Sequence, residues 1–190
     1  MPARVRAFCR LGRFHDIEVE DDVTAYLEYP DGMHGVFTTT TGEAPGSNRL
    51  EIAADNGRIV IDGDTGVFDR NHIPASEFRA TSDELFAAPD TTRETRTFDD
   101  TGEQHVGVLK NFVGAIRGRD SLICPAPEGM RSVELANAML HSGLTGRTIE
   151  LPLDGAAYEA ALSERIQQST FTKQVIEPSV APGNDMGASF

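Results

Sequence analysis

The residues of this chain with chemistry to offer are five histidines, a loop arginine and two pairs of adjacent aspartates. His15, His34, His72, His105 and His141 include no pair at i, i+3 or i, i+4, so no helical metal-ligand doublet is present. His105 falls in the first turn of a predicted helix, beside a sheet edge. It reads either as a polar contact to a substrate or as an ordinary exposed first-turn residue. Arg49 closes a loop before a strand, where a guanidinium can clamp an anionic or hydroxylated ligand. The plainer reading is a loop arginine in an acidic protein. His15 and Asp16 would make an imidazole–carboxylate pair, but neighbours on an extended chain point apart. His34 reads as a sheet-face residue and His141 as a satisfied surface histidine. Asp21-Asp22 and Asp99-Asp100 read as solvated turn and cap residues. No glycine-rich dinucleotide motif, P-loop or nucleophile elbow occurs. Cys9 and Cys124 sit in separate apolar contexts, which suggests neither a metal site nor a disulfide framework. Composition and spacing thus assign no catalytic, metal-binding or cofactor-binding residue. His105 and Arg49 remain as substrate-binding candidates.

Bulk properties narrow the class. At 190 residues, with 30 acidic against 17 basic side chains and a formal charge of −13, the chain repels phosphate backbones and anionic lipid. Neither a nucleic-acid nor a membrane partner is expected. No apolar run approaches the ~18 residues of a membrane helix. The N-terminus lacks the apolar core of a signal peptide, and a reducing cytoplasm is the expected compartment.

The elements that must position these residues are strands first and helices after. Val5, Ala7 and Cys9 alternate with Arg4, Arg6, Phe8 and Arg10, which predicts an opening strand. Val23, Ala25, Leu27 and Tyr29 alternate in the same way, and Asp31-Gly32 predicts a type I′ turn into a Thr-rich return arm, Met33 to Thr41. Asn56-Gly57 predicts a second hairpin between Leu50–Ala54 and Arg58–Ile61. Residues 62–100 carry weak signals: a helical turn at Ser82–Ala88 and an edge strand at Thr92–Phe98. Val106, Leu109, Phe112, Val113 and Ile116 then form a helical stripe, with Asp100, Thr101 and Glu103 before it and Gly118 behind it. A second helix spans about Pro127–Leu144, with Met130, Val133, Ala136 and Leu140 as its stripe and Gly146 after it. Thr148–Leu151 is a short strand. Asp154 caps a third helix with Tyr158, Ala161, Leu162 and Ile166 facing inward. This order gives an α+β class: a predominantly antiparallel open β-sheet with helices packed on one face, the other face being available for dimerisation. One domain over residues 1–169 and an extended or disordered tail over 170–190 are expected.

Several segments, in order, resemble a known family. EVEDDVTAYLEYPDGMHG (Glu18–Gly35) and LEIAADNGRIVID (Leu50–Asp62) are similar to two hairpins of the glucose–fructose oxidoreductase / inositol dehydrogenase / MocA family. In the second, Ala54-Asp55 replaces the usual Gly-Thr. LKNFVGAIRG (Leu109–Gly118), PEGMRSVELANAMLHSG (Pro127–Gly143) and GRTIELP (Gly146–Pro152) resemble its later helices and closing strand. The resemblance covers roughly residues 3 to 152 and points to the family's C-terminal α/β domain.

What the resemblance implies goes beyond these residues. Members of the family are two-domain enzymes. Their N-terminal Rossmann domain holds NAD(P), and a Glu-Lys-Pro motif supplies a catalytic lysine. A following helix supplies an aspartate and a histidine. None of these has a counterpart here, and Met1 corresponds to an internal position of a longer relative. The expectation is a substrate-side and dimerisation domain of an NAD(P)-dependent sugar or polyol oxidoreductase, without a cofactor in this chain, inactive alone and homodimeric through its sheet. The rival expectation is a standalone, non-catalytic binding or scaffolding module that uses the open sheet face.

Overall fold

A computed structural model describes residues 1–99 and 102–172. The chain is α+β, and its strands fall into two four-stranded antiparallel sheets, ordered β3-β2-β1-β8 and β4-β5-β6-β7. Among the described residues they belong to two compact units: residues 1–39 with 134–172, and residues 40–99 with 102–133.

The first unit is built on β1 (Arg4–Leu11) and β2 (Glu20–Glu28). Their register sets Val5 against Leu27, Ala7 against Ala25 and Cys9 against Val23, so the apolar members of both alternations share one face. A one-residue slip would turn that whole set to the opposite face, so the pattern itself fixes the register. Onto this face packs α3 (Ala126–Thr145). Val5, Ala7, Ala25, Leu27 and Ala138 are the buried core, with Cys9, Leu135, Met139, Ile149, Leu151 and Leu153 packed around them. The helix comes close because the residues at the contact are small. A side chain at Gly143 would collide with Cys9. Ser142, fully buried, accepts a hydrogen bond from the Ala7 N–H (2.8 Å) and donates to the Arg147 carbonyl (2.6 Å). The stripe of α3 is therefore Leu135, Ala138, Met139 and Ser142. The expected Met130–Val133–Ala136–Leu140 stripe is displaced, with Met130 and Val133 exposed. Small residues, which the hydrophobic pattern underweights, decide which side of α3 faces the sheet.

β3 (His34–Thr40) borders β2, and β8 (Ile149–Glu150) pairs with β1. α4 (Gly155–Gln168) begins as the sequence predicts, with Asp154 accepting from the Ala156 and Ala157 N–H groups. Tyr158 and Ala161 are half-buried, whereas Leu162 and Ile166 are exposed. The β2–β3 connection differs from the expected type I′ turn. Pro30 and Asp31 occupy its central positions, Gly32 N–H donates to Tyr29 O (3.1 Å), and only Gly32 has a positive φ (86°). Proline fixes φ near −65° at the first central position, which selects a type I turn followed by a left-handed glycine.

The second unit holds β4 (Arg49–Ala54), β5 (Gly57–Asp62), β6 (Thr65–Asn71) and β7 (Thr91–Thr97), joined antiparallel in that order. β7 is the edge strand that the sequence predicts, whereas β6 lies in the stretch of weak signals. The hairpin loop is Asp55-Asn56, one residue earlier than expected, because Ala54 pairs with Gly57. Asp55 is held elsewhere: its carboxylate accepts from Ser76 N–H and Ser76 Oγ (both 2.7 Å) at the start of α1 (Ala75–Thr81). Gly57 has φ 142°, and a side chain there would strike the Asp69 carbonyl. α1 precedes the expected helical turn at Ser82–Ala88, where Phe86 instead adopts a positive φ.

α2 (Gln104–Ile116) forms where its periodicity predicts, and Gly118 follows it with φ 68°. Of its expected caps, Asp100 and Thr101 lie outside the described residues, and Glu103 makes no side-chain cap bond. The expected tail also lies largely outside the described residues.

Ser142→Ala removes the buried acceptor of the Ala7 amide and should cost ~1–3 kcal/mol. Urea unfolding followed by circular dichroism reads this as a lowered midpoint. An unchanged midpoint would mean that the contact does not hold strand to helix.

Candidate functional site

The face of the first sheet opposite α3 carries the most varied chemistry in its unit. Arg4, Arg6, Phe8 and Arg10 form its β1 column, facing Glu28, Tyr26, Thr24 and Asp22 on β2. Arg4 pairs with Glu28 at 2.5 Å. The Arg6 guanidinium lies over the Phe8 ring, 4.9 Å from its centroid. Tyr26 stacks on His34 at 5.8 Å, which bears out His34 as a sheet-face residue. Phe8, Tyr26 and Val36 are exposed. Arg6 Nη1 is nonetheless buried and has no hydrogen-bond partner among the described residues.

A loop beside this sheet is organised by Asp21, which is not the solvated turn residue that the sequence suggests. It is 3% exposed. Its carboxylate accepts from the N–H groups of Arg13 (3.0 Å), Phe14 (2.7 Å) and His15 (3.1 Å), and His15 Nδ1 approaches to 3.5 Å. Burial works to raise its pKa, but the three backbone donors outweigh it and hold the carboxyl below its ordinary value. His15 thus finds its carboxylate six residues on, and the adjacent Asp16 is not the partner. Next to this loop, an apolar cleft of about 660 Å³ runs between Leu11, Ile17, Val19, Leu162, Ile166 and Phe171. Glu18 accepts from Thr170 N–H and Oγ1 (both 3.0 Å) at its rim. His141 differs from the expected satisfied histidine: it meets Tyr158 edge-on at 5.9 Å, and its Nδ1 is buried without a partner among the described residues.

The second sheet has two unlike faces. Leu50, Ile52, Ile59 and Ile61 form an apolar face, all exposed. On the other, Arg58, Asp69 and Arg93 stand in register across β5, β6 and β7. Asp69 accepts from Arg93 Nε (2.6 Å) and Nη2 (3.0 Å) and from Arg58 Nη2 (3.1 Å). These charge-assisted bonds, those from Arg93 foremost, lower its pKa to about 2. With Asn71, Thr91 and the small residues Ala53, Ala54 and Gly57, the trio lines a cleft of about 500 Å³. Two guanidiniums and a fixed carboxylate offer donors and acceptors suited to a hydroxyl-rich or anionic ligand. The sequence does not single out this trio. Arg58, Asp69 and Arg93 are scattered along the chain, and only strand register brings them together.

The sequence-predicted pair is placed as follows. Arg49 opens β4 and bonds Glu51 (2.8 Å) and Asp62 (3.4 Å), so its charge is already engaged within the sheet. His105 is exposed in the first turn of α2. Neither lines any of the clefts described above. Because the native Asp69 pKa lies below the ordinary 3.8, its stabilisation is complete above that value and is lost as pH falls through about 2. Carboxyl NMR of the folded chain should therefore show Asp69 titrating near pH 2. Titration at the ordinary value would dissolve the bridge.

Residues 1–60 match the family model described as the GFO/IDH/MocA C-terminal domain. A curated relative, trans-1,2-dihydrobenzene-1,2-diol dehydrogenase of Bos taurus, is 31% identical over 84 residues, covering 38% of this chain and 25% of that protein. The fold is shared with a levoglucosan dehydrogenase solved with NADH and L-sorbose (TM-score 0.59, 16% identity, 80% of this chain and 45% of that one). It is also shared with an NAD-binding protein from Listeria innocua (TM-score 0.55, 15% identity, 78% and 41%). The chain therefore spans less than half the length of each of these proteins. Its first 60 residues are similar to the GFO/IDH/MocA C-terminal domain, the family that its ordered motifs also resemble.

Proposed function

We propose that this chain is the substrate-side and dimerisation domain of an NAD(P)-dependent sugar or polyol oxidoreductase, and that it does not transfer hydride by itself. The family match over residues 1–60 carries this reading. The shared fold with a dehydrogenase solved with NADH and a sugar supports it. The residues present do not fit a dinucleotide. Phosphate cradling needs a glycine-rich turn between a parallel strand and a helix, whereas both sheets here are antiparallel and the connections into α1, α2 and α4 lack that motif. No redox step is therefore routed through these residues. Their part is to wall a substrate, with His105, Arg49 and the Arg58–Asp69–Arg93 trio as polar contacts.

Dimerisation falls to the open face of the first sheet. Its arginine column on β1 and its acidic residues on β2 are self-complementary under a two-fold axis, as an isologous interface requires. A second copy would cover Phe8, Tyr26 and Val36.

Calorimetric titration with NADH and NADPH should give no binding heat, and micromolar binding would overturn the reading. Sedimentation equilibrium in dilute solution should give a dimer that Tyr26→Asp with Val36→Asp converts to monomer. A wild-type chain that stays monomeric at high concentration would remove the dimerisation role.

A further inference from the structure

α2 is turned inside out. Its apolar residues Val106, Leu109, Val113 and Ile116 are 57%, 63%, 45% and 71% exposed, and Phe112 beside them is 52% exposed. The residues that it buries lie on the opposite side: Gly114 fully, and Gly107, Asn111 and Ala115 in part. That side is held in place. The Asn111 side chain donates to Ser121 O (2.9 Å) and accepts from Ile123 N–H (3.0 Å), and the Asp120 carboxylate rests against Gly114. The exposed stripe repeats at intervals of three, four and three, the a/d spacing of a coiled-coil seam and narrower than an ordinary core-facing stripe.

We infer that α2 is a self-association surface, pairing antiparallel with the α2 of a second copy of this chain. Two features of the helix select that occupant and that direction. The stripe is symmetric about its middle, so an antiparallel partner sets Val106 against Ile116 and Leu109 against Val113 in both halves at once. The ends still differ in charge: Asp99 and Glu103, the latter paired with Lys110 of the helix, lie at its start, while Arg117 and Arg119, with Asp120 after them, follow it. An antiparallel pair brings each acidic end to a basic end and opposes the two helix dipoles, whereas a parallel pair would join like charges. The seam is one helix of 13 residues, well short of a standard ~1,600 Å² interface. The pairing is therefore weak and concentration-dependent. It uses a different surface from the open sheet face.

The test is disulfide trapping in a Cys124→Ser background. Single variants Val106→Cys and Ile116→Cys, oxidised separately, should give almost no linked dimer, and a mixture of the two should give it readily. Leu109→Asp in both should abolish the link. Glu103→Lys should slow it, and adding Arg117→Glu with Arg119→Glu should restore it. Linkage should persist when Tyr26→Asp and Val36→Asp have broken the sheet interface, which separates this inference from the sheet dimer. Linking of Val106→Cys to itself as readily as in the mixture, or no linkage at high concentration, would overturn the inference.

Discussion

A single hydroxyl holds the best-built part of this molecule together. Ser142 lies wholly buried between a strand and a helix, where an unmet backbone amide would be costly, and it satisfies one partner on each side. The contact works only because the helix can come close. Ala138 and Gly143 on α3 and Ala7 and Ala25 on the sheet leave room for it, while Val5 and Leu27 supply the larger buried volume. The rotation of α3 on the sheet follows from that close approach.

The second unit has no comparable centre. Among its described residues only Asp69 and Gly114 are buried, and neither is a large apolar side chain. Its order comes from hydrogen bonds at the edges: Asp55 on Ser76, Asn111 on the 121–123 loop, and the Arg58–Asp69–Arg93 bridge. Exposed ion pairs contribute little to stability, so the apolar face of β4–β5 and the stripe of α2 are surfaces with burial still to gain. Faces of this kind gain stability when another surface covers them.

Much of this was legible in the sequence, and the failures share a cause. Period-two alternation located β1, β2, β4 and β5, and period-3.6 spacing located α2, α3 and α4, because those patterns report local geometry. What escaped depended on partners distant in the chain. Asp21 looked solvated because nothing local shows that three amides of the 13–15 loop fold onto it. The face of α3 differs from its hydrophobic pattern because alanine, serine and glycine weigh little in that pattern yet decide a close contact. The turn falls at Asp55-Asn56 because Ala54 pairs with Gly57, and Asp55 is held by Ser76, a partner distant in the chain. Of the two candidate ligand contacts, Arg49 proved to be engaged by Glu51 and Asp62, while the Asp69 bridge lay in the stretch with the weakest periodicity.

The account rests on unequal self-sufficiency: one unit closes around its own core, and the other relies on surfaces outside itself. Residue-resolved hydrogen exchange in dilute solution tests this most directly. The amides of Val5, Ala7, Val23, Ala25 and Leu27 should exchange slowest, with those of β4 to β7 exchanging far faster. Equal protection of both sheets in a dilute monomer would contradict it.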